Sequence, residues 1–278
     1  MSNTYSQKWV NSIEKVAIAN DFEGFAQLYP EALNAVSEVH ALKVLVQHGN
    51  ARMVEFALAT SQELPHMDLS AVIHKGAAAS QIQTTSLVLE WCKKHNTFVS
   101  PQPYLFKLAM GAVHGNCVTL LERYWPDIKK MRKEFLNNIY MTAGNCDAVE
   151  CMEFMRPVLK YADHLHSGMV RQTARLNKSR AMVYLLRNPP EFFNTKREAG
   201  DVLLMLIEND RYKTDDALKT VQALFEFVTA SEFVQRFKER FKPSVLRALD
   251  ELYIGHQKNI LQAAVKRSAH QVSIVRKM

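Results

Sequence analysis

The side chains that could do covalent, metal or acid–base chemistry in this chain are four cysteines, ten histidines and 28 carboxylates. Their spacing gives such chemistry little to work with. The densest metal-type clusters are His164-x-His166 and His66-x-Asp68. Zinc requires three or four converging ligands, commonly in paired spacings, and neither cluster has a thiol pair beside it. Cys146 and Cys151 lie five apart in a helical segment, where a cysteine reads as a small apolar core residue; Cys92 and Cys117 stand alone, and no pair is spaced C-x-x-C. Asp215-Asp216 and Asp250-Glu251 are sequence neighbours, and adjacent helical residues do not face the same way, whereas acid–base catalysis requires carboxylates that share a pocket. Neither a G-x-S-x-G elbow nor a glycine-rich phosphate loop occurs. The reading is a non-enzyme with no catalytic, cofactor-binding or metal-binding residue and no cofactor.

Charge offers a second kind of chemistry. Residues 1–100 carry a formal −2, residues 101–230 carry +3 and residues 231–278 carry +6, which together make the net +7. Arg236, Lys238, Arg240 and Lys242 alternate with Phe237 and Phe241, and Lys266-Arg267 and Arg276-Lys277 follow. Cations neutralise phosphates and interleaved aromatics stack on bases, so nucleic-acid binding by these basic C-terminal helices is the alternative function. Phe233, Phe237 and Phe241 also recur every four residues, the pattern of one buried helix stripe with charges on the wet side. The segment from Ile260 to Arg267 reads as an amphipathic helix packed on the body of the protein.

The elements that position these residues are helices. Leu42, Leu45, Val46 and Gly49 fall on one stripe and Met53, Val54, Ala57 and Leu58 on the next, with a Gly-Asn turn between, which predicts a helical hairpin. The hairpin recurs. Its turn falls at Asn20, Gly49, Ile82, Gly115, Gly144, Asn177 and Asn209, at intervals of 29, 33, 33, 29, 33 and 32 residues. Small residues precede many of these turns (Ala17, Ala78, Ala112, Ala174), allowing neighbouring helices to lie close. Strand signals are scarce, and no run of about 18 apolar residues predicts a membrane span. A polar N-terminus and unpaired cysteines predict a cytoplasmic protein.

A period near 33 with helix–turn–helix units resembles the ankyrin-repeat family. The likeness is carried by His48-Gly49-Asn50-Ala51-Arg52-Met53-Val54, by Val113-His114-Gly115-Asn116, by Ala143-Gly144-Asn145-Cys146-Asp147-Ala148-Val149 and by the stretch from Thr173 to Leu186. The family's Thr-Pro-Leu-His opening and its Gly-Ala-Asp finger segment are missing, so the repeats are degenerate. The resemblance implies an all-α solenoid of about seven stacked helix-turn-helix units over residues 1–230, with a helical C-terminal cap over 231–278. It also implies a scaffold that binds a partner protein through a concave face built from the first helices and the loops; arrays of this kind include bacterial and viral effectors and inhibitors that sequester a target in a host cytosol. Helix phase points Gln47, His48, Val113, His114, Thr142 and Arg175 toward that face. Trp125 and Tyr140, with Trp91 and Tyr124, are aromatic candidates for interface anchors.

Overall fold

In the computed structural model, residues 2–29, 35–61, 64, 68–95, 102–159, 165–209, 215–237, 239, 245–247, 249–258 and 260–262 are described. They are all-helical, with no strand among them. The chain forms two compact units, residues 1–162 and 163–278, whereas the turn spacing places the boundary after residue 230.

The first unit contains α1 (Ser2–Ile18), α2 (Phe22–Leu28), α3 (Ala35–His48), α4 (Ala51–Thr60), α5 (Ser70–Ala78), α6 (Ile82–His95), α7 (Gln102–His114), α8 (Val118–Ile128), α9 (Lys133–Asn145) and α10 (Val149–Met155). Odd-numbered helices pack on odd: α1 on α3, α3 on α5, α5 on α7, and α7 on α9. Even-numbered helices follow beside them, α2 on α4, α4 on α6, and α8 on α10. Lys93 of α6 lies over the Tyr124 ring of α8, 5.6 Å from its centroid. One stripe of each helix supplies the core between the rows: Leu42, Leu45 and Val46 from α3, Val72 and Ile73 from α5, Leu108 and Ala112 from α7, Ile139 and Ala143 from α9, all fully buried. Truncating any one of the leucines to alanine removes roughly 2–5 kcal/mol.

One turn joins each pair. Asn20, Gly49, Ser80, Asn116 and Asp147 have φ of 53°, 74°, 56°, 49° and 62°. The residue after each donates its backbone N–H back five residues: Asp21 to Val16 at 2.9 Å, Asn50 to Leu45 at 3.2 Å, Gln81 to Gly76 at 3.0 Å, Cys117 to Ala112 at 2.8 Å, and Ala148 to Ala143 at 2.9 Å. This is the Schellman closure, in which a left-handed residue satisfies the last carbonyls of one helix. Asn and Asp tolerate that conformation through their short polar side chains. Against the turns expected from sequence, Asn20 and Gly49 hold. Ser80 replaces Ile82, which opens α6, while Asn116 and Asp147 replace Gly115 and Gly144. Gly115 serves packing instead, since a Cβ there would sit 2.5 Å from the Ala78 carbonyl oxygen, and Gly144 is a buried residue within α9.

The second unit contains α11 (His166–Arg175), α12 (Ser179–Arg187), α13 (Thr195–Glu208), α14 (Asp215–Leu224) and α15 (Ala230–Phe237), and residues 249–258 are helical. The alternation continues within it, with α11 on α12 and α13, and α12 on α14. The same turn closes the first pair, through Asn177 at φ 56° and Lys178 N–H donating to Thr173 at 2.8 Å. Asn209, expected to be another such turn, has φ −94°.

Candidate partner-binding face

Because the turns share one geometry, they set a common register for the odd helices of the first unit. The positions nine, six and two residues before the left-handed residue are His40, Lys43 and Gln47 in α3, and Ala71, His74 and Ala78 in α5. In α7 they are Lys107, Met110 and His114, and in α9 Asn138, Met141 and Asn145. All are exposed or half-buried, and together they form a stripe running across four helices.

Two of its histidines meet. His74 Nε2 and His114 Nδ1 are 3.1 Å apart, and the rings make an edge-on contact with centroids at 5.1 Å. Small residues bring them together. A Cβ on Gly111 would stand 2.4 Å from the His74 carbonyl oxygen and 2.7 Å from the Ala77 Cβ, so α5 and α7 touch backbone to backbone. Burial lowers the His74 pKa from its ordinary value, and the nearby charges of His114, Lys107 and Lys75 lower it further. The neutral ring of His74 is thereby favoured, and the short Nε2–Nδ1 contact lets one ring donate to the other. Beside the stripe the Phe106 and Phe135 rings pack at 5.1 Å, and Phe135 stays 37% exposed.

Successive turns also touch along one edge. Asn50 donates to Asn20 at 2.9 Å, Ser80 donates through its hydroxyl to the Gly115 carbonyl at 3.2 Å, and Asn116 donates to Glu150. A hollow of about 470 Å³ lies between the first two turns, lined by Ala17, Ile18, Asn20, His48, Gly49 and Asn50.

Of the residues singled out from sequence, Gln47, His48 and His114 are exposed and Thr142 half-buried on this unit, and Arg175 is exposed on the second. Three belong to the core and are corrected. Val113 is fully buried, because one residue of helix turns it about 100° away from His114. Tyr140 is 1% exposed, and Trp125 is 9% exposed with its ring against Phe154 at 5.2 Å. Tyr124 is likewise buried, while Trp91 stacks on His95 at 4.9 Å. The sequence reading missed His74, Lys107 and Met110. Their only signal is the register set by the turns, and that register emerges once Ser80 and Asn116 replace Ile82 and Gly115. It also missed Phe192, 95% exposed beyond Pro189-Pro190.

The chemically suggestive clusters divide differently. His166 is buried against the Phe193 ring at 4.5 Å; His66 and His164 lie outside the described residues, as do Lys238, Arg240, Lys242, Lys266, Arg267, Arg276 and Lys277. Arg236 pairs with Asp201 at 2.8 Å. Burial pushes the thiols of Cys92 and Cys151 up to about 12, which keeps both protonated at neutral pH. No group of three or more metal-ligating side chains occurs among the described residues, and none of their helices is long and apolar enough to cross a membrane. Comparison of the chain with family models, curated proteins and solved structures returns no match.

Proposed function

We propose that the chain is a protein-binding scaffold of stacked, ankyrin-like helical hairpins, and that the first unit holds its partner on the exposed stripe of α3, α5, α7 and α9. The observation that carries this reading is the make-up of the stripe. Half-exposed apolar side chains (Met110, Met141 and the Phe106–Phe135 pair) sit beside exposed polar ones (Gln47, His114, Asn138) on helices fixed by close packing. Apolar spots ringed by polar groups on a rigid frame are the anatomy of protein interfaces, and a preformed frame loses little conformational freedom on binding. Helical repeats cannot bury their stripes singly, so stacking them leaves one long face for a partner.

The test is affinity capture from native lysate with two charge-reversed proteins. One carries Lys107→Glu and His114→Glu on the odd helices; the control carries Arg52→Glu and Arg123→Glu on the even helices. Partners held by the wild type are expected to be lost from the first and kept by the second. Equal capture by both variants contradicts the assignment of the face.

A further inference from the structure

The stripe has a charge pattern that the rest of the unit lacks. None of its positions on α3, α5, α7 and α9 is Asp or Glu. Helix α3 has one carboxylate, Glu38, which is buried at 2% exposure and accepts a hydrogen bond from the Ser61 hydroxyl; α5 and α7 have none. Yet the same surface carries Lys43, Lys75 and Lys107, which form no ion pair among the described residues, together with His40, His74 and His114. The even helices give the contrast, since each carries an exposed carboxylate, Glu23, Glu55, Glu90, Glu122 and Glu150 in turn, and two of these pair with cations: Glu23 with Arg52 at 3.8 Å and Glu90 with Lys93 at 2.9 Å.

We infer that this face takes an acidic stretch of a partner protein's chain, its carboxylates meeting Lys43, Lys75, Lys107 and the His74–His114 pair. The inference rests on the reading of the stripe as the docking face and adds the chemistry of what docks. Charge complementarity selects an anion, because an acidic segment finds no like charge across three helices. Spacing fits a chain in the polyproline II conformation: packed helices lie roughly 10 Å apart, and one turn of about three residues at ~3.1 Å each covers that distance with every third side chain on the same side. An acid at every third residue therefore reaches successive helices. A protein chain is favoured over nucleic acid because the face offers three lysines, one each from α3, α5 and α7, and no arginine, the residue suited to bidentate phosphate contact. Its methionines and the Phe106–Phe135 rings also suit apolar side chains between the acids.

The histidines make the contact proton-linked. The groups around His74 are Lys75 on its own helix and His114 and Lys107 from α7, all of which disfavour its cation while the face is empty. A docked carboxylate reverses that balance, so binding takes up protons and tightens as pH falls through the histidine range.

Fluorescence anisotropy on the full chain tests this with a labelled peptide of about 12 residues bearing Glu at every third position, its Gln counterpart, and single-stranded DNA of similar length. The Glu peptide is expected to bind at about 50 mM salt, to tighten about threefold between about pH 7.5 and pH 6, and to lose about tenfold in Lys75→Glu/Lys107→Glu. His74→Gln/His114→Gln, which keeps the shape, is expected to bind with a flat pH profile. No binding, equal binding of the Gln peptide, indifference to the lysine reversals, a pH profile unchanged by the histidine variant, or tighter binding of the DNA each overturns the inference. The two readings fail separately: equal capture by the two charge-reversed proteins removes the docking face itself, whereas a partner lost on reversing the face but not displaced by the Glu peptide leaves the face as a docking site and removes only its acidic ligand.

Discussion

The two units place different demands on the same register. In the first, the positions six and two residues before the left-handed turn residue are Lys43 and Gln47, His74 and Ala78, Met110 and His114. In the second, the equivalents before Asn177 are Arg171 and Arg175, and neighbouring helices take them up. Arg171 donates to Glu198 at 2.7 Å, and Arg175 Nε approaches the Met205 sulfur at 3.3 Å. Lys196 pairs with Glu232, and Arg236 with Asp201, so ion pairs tie α11 to α13 and α13 to α15. The first unit holds its odd helices with glycine and alanine instead, at Gly111 against His74 and Ala77 and at Gly76 against Val46. Where backbone contact provides the cohesion, outward side chains are left for another purpose; where ion pairs provide it, they are not.

The contrast breaks most sharply at Gly111. A valine there meets backbone rather than a yielding side chain, so Gly111→Val is expected to lose about 3 kcal/mol or more of stability, read as a lower urea midpoint. In the second unit the corresponding test is Glu198→Ala. Glu198 is 8% exposed and accepts hydrogen bonds from Ser167 and Arg171. Arg171 is about half exposed, so its share is discounted for screening by solvent, and about 1–2 kcal/mol is expected to go. A loss at Glu198→Ala as large as that at Gly111→Val would erase the distinction between the two modes of cohesion.

The smallest effect is the one on pH. His74 has its pKa lowered in the folded protein, so the unfolded chain binds the proton more readily. The stability it contributes is present above its unfolded value near 6.5 and is lost as pH falls through the lower folded value. The wild type is expected to lose about a degree or two more in Tm than His74→Gln between about pH 7.5 and pH 5.5. Parallel curves would contradict the shift.

Much of the helical order is legible in the sequence because the core repeats: Leu42, Leu45 and Val46, then Met53, Val54, Ala57 and Leu58, mark two helices and the turn between them. The turns at Asn20, Gly49 and Asn177 are legible because Asn and Gly advertise left-handed backbone. Ser80 does not, and Gly115 and Gly144 advertise falsely; at Gly115 it is close packing that selects glycine. The face was half legible. Gln47 and His114 follow from phase, while Val113 fails by a single residue because one step around a helix separates surface from core. The His74–His114 contact joins residues 40 apart and depends on Gly111, which only the packing of α5 on α7 reveals.

The most direct measurement is a lysine acetylation footprint of the chain with and without its captured partner. The account predicts that the partner protects Lys43, Lys75 and Lys107, while Lys94, Lys129 and Lys130 on the even-helix side remain reactive. Protection of the second group with the first unchanged would contradict it.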